Sequence, residues 1–87
     1  MAGKKEGRTG VLAKSLAGHD KGELFVIIQE DREYVFLVDG KSRTVKEPKR
    51  KNKKHIQVIY NGLNHKEKLT DEEIRRWIRC YKRESQV

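Results

Sequence analysis

The chain is poor in the features that mark secreted, membrane-embedded and disulfide-stabilised proteins. Its 87 residues include one cysteine, Cys80, so no internal disulfide can form, which fits a reducing compartment. No apolar run approaches the roughly 20 residues that a membrane-spanning helix needs. The Gly/Lys-rich residues 1–10 also lack the apolar segment of a secretory signal. We therefore expect a cytoplasmic protein without a membrane partner.

Motifs for catalysis and metal binding are also missing from the sequence. Cys80 and the histidines do not have the spacing of a zinc site. The sequence contains neither a Gly-rich nucleotide loop nor a Gly-x-Ser-x-Gly elbow, and His19 beside Asp20 has no nucleophile near it. A domain of this size is too small to enclose a large catalytic cavity. We predict that the protein is not an enzyme and uses no cofactor or metal.

Positive charge is abundant and is concentrated in one place. Residues 41–54 hold eight Lys or Arg and one acid, Glu47, so this segment carries +7 against a net charge of +8 for the chain. Such a block is typical of polyanion binding, because neutralised phosphates release condensed counterions. The alternative is a solvated loop whose lysines serve only solubility, but solubility needs dispersed charge rather than a block.

Short apolar runs rich in β-branched and aromatic residues predict a mainly β domain. The predicted strands cover residues 9–16, 23–30, 34–38, 43–46 and 55–60. The unbroken apolar run 24–28 is typical of a strand buried on both faces. Asp39-Gly40 predicts a type I′ hairpin turn. Pro48 should then interrupt the ladder and begin a basic loop over residues 46–54.

The C-terminal segment predicts a helix over residues 70–83. Thr70 and Glu73 have the spacing of a capping box at its start. An apolar stripe follows at helical spacing and comprises Ile74, Trp77, Ile78 and Tyr81. The stripe either packs on the strands or presents Trp77 as an anchor for a protein partner; we favour packing. Short strands and one helix favour a compact antiparallel barrel capped by the helix, with residues 1–8 as a flexible basic tail and 9–87 as one domain.

Residues 10–28 resemble a KOW motif, which runs strand, Gly-containing loop ending in Lys-Gly, then β-branched strand. Here Lys21-Gly22 precedes the apolar run 24–28, and Gly22 takes the position of the motif's most characteristic glycine. A loop that turns straight into a strand often needs positive φ. With the segments 34–40, 43–45 and 48–55, the chain is similar to small bacterial KOW-domain RNA-binding proteins. These are related to archaeal and eukaryotic ribosomal proteins of the fourteen-e type, and the similarity covers about residues 8–60.

The resemblance implies an SH3-like barrel with a C-terminal helix, no catalysis, and RNA contact through loops at one end. Ribosomal RNA would be the partner, with ribosomal proteins nearby and a role in translation. Together with the charge pattern, it gives the candidate RNA-binding residues Gly18, His19, Lys21, Gly22, Arg43, Lys46, Lys49, Arg50, Lys51, Lys53, Lys54 and His55. About five phosphate contacts from the basic segment would give log K against log[salt] a slope of roughly −4.

Two questions stay open at the level of sequence. Aromatic side chains can stack on unpaired bases, and the candidates are Tyr34, Phe36, Phe25 and Tyr60. A small barrel needs aromatics in its core, which we favour for Phe25 and Phe36. The second question is function, because SH3-like barrels also dock proteins. A protein-interaction module that docks a transcription or translation factor is the alternative to RNA binding.

Overall fold

The computed structural model describes residues 10–59 and 70–85 and is mainly β. Its elements are β1 Val11–Ser15, β2 Leu24–Glu30, β3 Tyr34–Val38, β4 Lys49–Asn52, a 3₁₀ turn Lys53–His55, β5 Ile56–Ile59 and α1 Asp71–Ser85. The predicted tail 1–8, the candidate platform Tyr60 and the predicted turn 61–65 lie outside the described residues. The strands form one antiparallel sheet in the order β4-β3-β2-β1-β5.

The connection from β4 to β5 requires the sheet to curl. These strands lie on opposite edges of the sheet, and edges of a flat sheet of this kind would be about 19 Å apart at a strand spacing of about 4.8 Å. The chain passes from Asn52 to Ile56 through one 3₁₀ turn, and that length reaches about 14 Å at most. The edges must therefore approach each other, and the sheet is a curled half-barrel.

Each face of the curled sheet carries its own apolar cluster. In β2, Phe25 and Ile27 pack on one face, whereas Leu24 and Val26 pack on the other. The first cluster fills the concave interior with Ala13, Phe25, Ile27, Val35 and Leu37. The second lies under the helix and comprises Leu12, Leu24, Val26, Val38, Ile74, Trp77 and Ile78. The prediction of a strand buried on both faces at 24–28 is confirmed.

The helix forms as predicted and closes the outer face of the sheet. The Glu73 amide donates to Thr70 Oγ1 at 3.2 Å, which is the expected cap. Ile74 is fully buried and Trp77 is 5% exposed, so the stripe packs into the core. Trp77 is therefore not an exposed anchor of the kind that the docking alternative needs. Asp71 Oδ1 also accepts from the Val45 amide at 2.9 Å, which fastens the helix start to the segment before β4.

The prediction of a basic loop over 46–54 is wrong, because much of it is the edge strand β4. Lys49 pairs with Leu37 and Lys51 with Val35 across the ladder to β3. The backbone groups along β3 need partners, and a strand supplies them whatever its side-chain charge. Pro48 does not prevent this, since it stands just before an edge strand, where a missing N–H is tolerated.

The predicted strand 43–46 is also wrong, as is the two-residue hairpin at Asp39-Gly40. The Asp39 carboxylate accepts from the Lys41 amide at 2.8 Å and from the Arg43 amide at 2.9 Å, so it organises a wider loop. The amides of Asp39 and Gly40 both donate to the Arg43 carbonyl. Only an isolated bridge between Thr44 and Glu47 follows before β4. A side chain that bonds to nearby backbone amides competes with strand pairing.

Gly40 and Gly22 provide a matched pair of substitutions that tests the packing of this loop on the helix. Both have positive φ, at 81° and 89°. A Cβ on Gly40 would lie 2.5 Å from the Asp71 carbonyl oxygen, whereas one on Gly22 would meet nothing within 4 Å.

We expect Gly22→Ala to lower the free energy of unfolding by about 1 kcal/mol, from backbone strain alone. Gly40→Ala should lower it by about 3 kcal/mol, because the clash adds to the strain. Urea unfolding of the two variants measures the difference. Equal losses would contradict the close packing of Gly40 on α1.

Candidate nucleic-acid interface

Lys49 and Lys51 of β4 point inward, and both contact a single carboxylate. Lys49 Nζ lies 2.6 Å from Asp20 Oδ2, and Lys51 Nζ lies 2.8 Å from Asp20 Oδ1. Asp20 belongs to the loop between β1 and β2, which folds over the sheet to reach β4. Lys51 also donates to the Ala17 carbonyl at 2.9 Å, and its side chain is only 9% exposed. These two candidate RNA-binding lysines thus join β4 to the loop between β1 and β2.

Asp20 accepts hydrogen bonds from β1 as well as from β4. The buried Ser15 hydroxyl at the end of β1 donates to Asp20 Oδ1 at 2.7 Å. Burial raises the pKa of Asp20, but the hydrogen bonds from Lys49, Lys51 and Ser15 together outweigh it and hold that pKa well below its ordinary value of 3.8. Asp20 is therefore ionised at neutral pH. Because it faces both lysines, the cluster keeps a net charge of +1.

Lys53 is also paired within the chain. Its Nζ lies 2.7 Å from Glu30 Oε2 at the end of β2. The β2–β3 register shifts between Ile27 and Gln29, so Ile27 pairs with Leu37 and Glu30 with Val35. Without this irregularity Ile27 and Glu30 would point to opposite faces. The shift places Glu30 on the concave face, which Lys53 reaches from the 3₁₀ turn.

The outward side chains of the same segment remain accessible. Arg50 is exposed, and its guanidinium carbon lies 4.5 Å from the centre of the Tyr34 ring on β3, a cation–π contact. Lys54 is exposed in the 3₁₀ turn, where Asn52 Oδ1 accepts from its amide at 2.9 Å. Phe36 is half-buried on the same face of β3 as Tyr34. We call Tyr34, Arg50 and Lys54 the outward surface.

The aromatic candidates thus divide between core and surface. Phe25 is 3% exposed in the interior cluster, as predicted. Phe36 is half-buried and belongs to neither apolar cluster, so the prediction that it lies in the core is not confirmed.

The loop between β1 and β2 lies beside this segment. The Leu16 amide donates to the His55 carbonyl at 2.8 Å, which joins the start of the loop to the 3₁₀ turn. A Cβ on Gly18 would lie 3.5 Å from Lys51 Nζ, so the loop passes close to β4. The other candidate RNA-binding residues of this loop, His19, Lys21 and Gly22, are exposed, and Gly22 has the expected positive φ of 89°.

Arg43 and Lys46 are placed elsewhere. Both are exposed in the segment between β3 and β4 that is fastened to the start of α1, and neither is held by the contacts around Asp20. The sequence analysis also missed Asp20 and Glu30 as partners of the lysines. An acid in a Gly-rich loop and a strand-terminal acid were the only signals, and the second depends on a register shift that the sequence does not show.

Comparison with protein-family models and with curated proteins finds no match for this chain. Within residues 10–59 and 70–85, no helix has the length and apolar character to cross a membrane. The same residues contain no cluster of His, Cys, Asp or Glu suited to a metal ion.

Asp20→Asn tests the contacts of Asp20 with Lys49 and Lys51 through the pH dependence of the free energy of unfolding. The unfolded chain protonates Asp20 near pH 3.8, well above the folded pKa, so the unfolded state takes up this proton first as pH falls. The contribution of Asp20 is therefore complete above about pH 5 and is lost progressively toward pH 2. We expect the variant to be less stable than wild type by about 2 kcal/mol at pH 7. This difference should shrink as pH falls from 5 to 2.

Urea unfolding at pH 7, 5 and 3 measures that difference, with the exposed Asp31→Asn as control. The control variant should show a small difference from wild type at every pH. If the stability difference between wild type and Asp20→Asn were the same at pH 7 and pH 3, the assigned protonation state would be contradicted.

Proposed function

We propose that the protein is a non-catalytic RNA-binding module that engages structured RNA mainly through phosphates. The observation that carries this proposal is the outward surface: exposed Arg50 contacts the half-buried Tyr34 ring, and Lys54 is exposed in the 3₁₀ turn that follows β4. Guanidinium and ammonium groups bind phosphate, and an aromatic ring beside them accepts an unpaired base. The loop residues His19 and Lys21 extend the cationic surface.

The intramolecular ion pairs change which side chains are proposed to contact RNA. Lys49, Lys51 and Lys53 each have a carboxylate within 2.8 Å, so an RNA phosphate would have to displace Asp20 or Glu30 to bind them. The primary contacts are therefore Arg50, Lys54 and Lys21. Lys49 and Lys51 contribute long-range attraction, because they share one carboxylate.

The fold and the chain's resemblance support a ribosomal context. The curled half-barrel with a 3₁₀ turn joining its edge strands is compatible with an SH3-like KOW domain. Its proposed partner is ribosomal RNA in the cytoplasm, with a role in translation. The docking alternative is not favoured, since Trp77, its proposed anchor, packs under the sheet at 5% exposure.

The salt dependence of RNA binding tests the assignment of contacts. Three primary contacts predict a slope of log K against log[salt] of about −3, shallower than the roughly −4 expected if the whole basic segment bound phosphate. Arg50→Gln with Lys54→Gln should flatten the slope by about 2 and weaken binding to all RNAs nearly uniformly. Fluorescence anisotropy with a structured RNA across a salt series measures both effects.

The matched control removes the same charge from exposed positions of α1, through Arg76→Gln with Arg83→Gln. This double variant should keep most of the wild-type affinity and slope. Equal losses of affinity in the two double variants would show that net charge alone accounts for RNA binding. Wild-type affinity of the Arg50/Lys54 variant at moderate salt would overturn the proposed surface.

Sedimentation of native protein from lysate through a sucrose gradient tests the ribosomal partner. We expect co-migration with a ribosomal subunit at low salt, and loss of that co-migration after RNase treatment. Slow sedimentation under every condition would remove the ribosome from the proposal.

A further inference from the structure

A second concentration of cations surrounds a cleft on a different part of the molecule. The cleft has a volume of about 450 Å³ and lies between α1, the loop that follows β3 and the start of β2. Its cationic rim comprises Lys41, Arg75, Arg79 and Lys82. None of these residues belongs to the outward surface or to the contacts around Asp20.

The two arginines of the rim are separated by one helical turn and are held differently. Arg75 Nη1 donates to the Gly40 carbonyl at 2.6 Å, which fixes its guanidinium at the edge of the cleft. Arg79 is exposed, and residues four apart on a helix share one face. Within the part of the chain that the structure describes, neither Arg79 nor Lys41 forms an ion pair. Among the described residues the cleft thus has one preorganised donor, Arg75, and two cations, Arg79 and Lys41, that form no ion pair.

The remaining lining residues make the cleft chemically mixed. Leu24 and Ile78 are mostly buried, at 9% and 8% exposed, and leave a small apolar surface at the bottom of the cleft between strand and helix. Glu23 and Asp39 add carboxylates to the wall. One carboxylate oxygen of Asp39 already accepts from the amides of Lys41 and Arg43. A ligand that fits this wall combines an anionic group with an apolar surface and hydrogen-bond donors.

We propose that the cleft binds a nucleoside phosphate. The phosphate is held by Arg79, Lys41 and the fixed guanidinium of Arg75, because guanidinium groups match the geometry of phosphate oxygens. The base lies against Leu24 and Ile78, while Glu23 and Asp39 accept from its amino or ribose hydroxyl groups. A volume of about 450 Å³ is within the range of small-ligand sites.

The mixed lining separates this ligand from other anions. An acidic peptide has no base whose amino groups could donate to Glu23 and Asp39 while its ring covers Leu24 and Ile78. Inorganic phosphate would leave the apolar wall uncovered. The nucleoside phosphate comes from one of two sources: a free nucleotide, or one nucleotide of an RNA strand. The site does not depend on the proposed RNA surface, since its cations are different residues.

The test is a titration of the full-length, ¹⁵N-labelled protein with adenosine 5′-monophosphate, monitored by NMR. Adenosine, inorganic phosphate and an acidic peptide are titrated in parallel. We expect binding of the nucleotide with a Kd of about 1 mM or tighter. The largest shifts should fall on amides of the cleft, including Gly22, Leu24 and Ser42. Adenosine and phosphate should each bind at least about tenfold more weakly, since each lacks part of the contacts.

Arg79→Gln and Lys41→Gln are the test variants, and Arg83→Gln on the same helix is the control. Each test variant should raise the Kd for the nucleotide about tenfold, which is the loss of one charged hydrogen bond, with the thermal unfolding midpoint unchanged. Arg83→Gln should bind as wild type does. Using two test variants on separate elements protects the result against misfolding of either.

A parallel titration with structured RNA distinguishes the sources. If Arg79→Gln weakens RNA binding and the nucleotide competes with RNA, the cleft holds a nucleotide of the strand. If Arg79→Gln weakens only mononucleotide binding, the ligand is free nucleotide. Shifts confined to other surfaces, unchanged affinity in both test variants, or tighter binding of phosphate or acidic peptide would overturn the proposal. Failure of the Arg50/Lys54 test alone would leave it standing.

Discussion

The fold depends on a carboxylate shared by two lysines at the junction of the β1–β2 loop and β4. A five-stranded sheet that is curled only halfway leaves a gap between its edges, and polar groups at that gap need partners. Asp20 supplies one from a loop that is nearly thirty positions away from Lys49 in sequence. This contact joins the loop to β4, and the Leu16–His55 hydrogen bond joins the loop to the 3₁₀ turn, so the two together determine which cations are accessible. The composition of the basic segment therefore serves the closing of the sheet as well as its surface charge.

This arrangement separates net charge from charge that is available to a ligand. Residues 46–54 contain six Lys or Arg, but three of them, Lys49, Lys51 and Lys53, have carboxylate partners in the fold. For Lys49, Arg50 and Lys51 the alternation of side chains along β4 causes the separation, because consecutive residues point to opposite faces, whereas Lys53 reaches Glu30 from the 3₁₀ turn. A loop would have left all of them exposed. Because this segment contains a strand where a loop was predicted, fewer of its side chains are proposed to contact phosphate. The side chains that remain have better defined positions.

The elements that could be predicted from the sequence are those with a local signal. The apolar run of β2, the Thr70 cap of α1 and the stripe from Ile74 to Tyr81 each carry their own local signal, and each formed as expected. β4 lacked such a signal, since its sequence is Lys-Arg-Lys-Asn and its pairing is required by the exposed edge of β3. The pairing of Lys53 with Glu30 needed the register shift in β2, which is a property of the assembled sheet. The cleft beside α1 combines residues from three separate segments, so no spacing in the sequence marks it.

The position of β4 at the edge of the sheet has a consequence for contact between copies of the protein. A strand edge presents backbone groups that can pair with a strand of a second molecule, which is a route to aggregation. If two copies of β4 approached in this way, their lysine and arginine side chains would come within about 5 Å of each other, where like charges repel. This electrostatic barrier weakens as salt concentration rises, because the screening length falls from about 10 Å at 0.1 M to about 3 Å at 1 M. Colloidal stability of the protein is therefore greatest at low ionic strength.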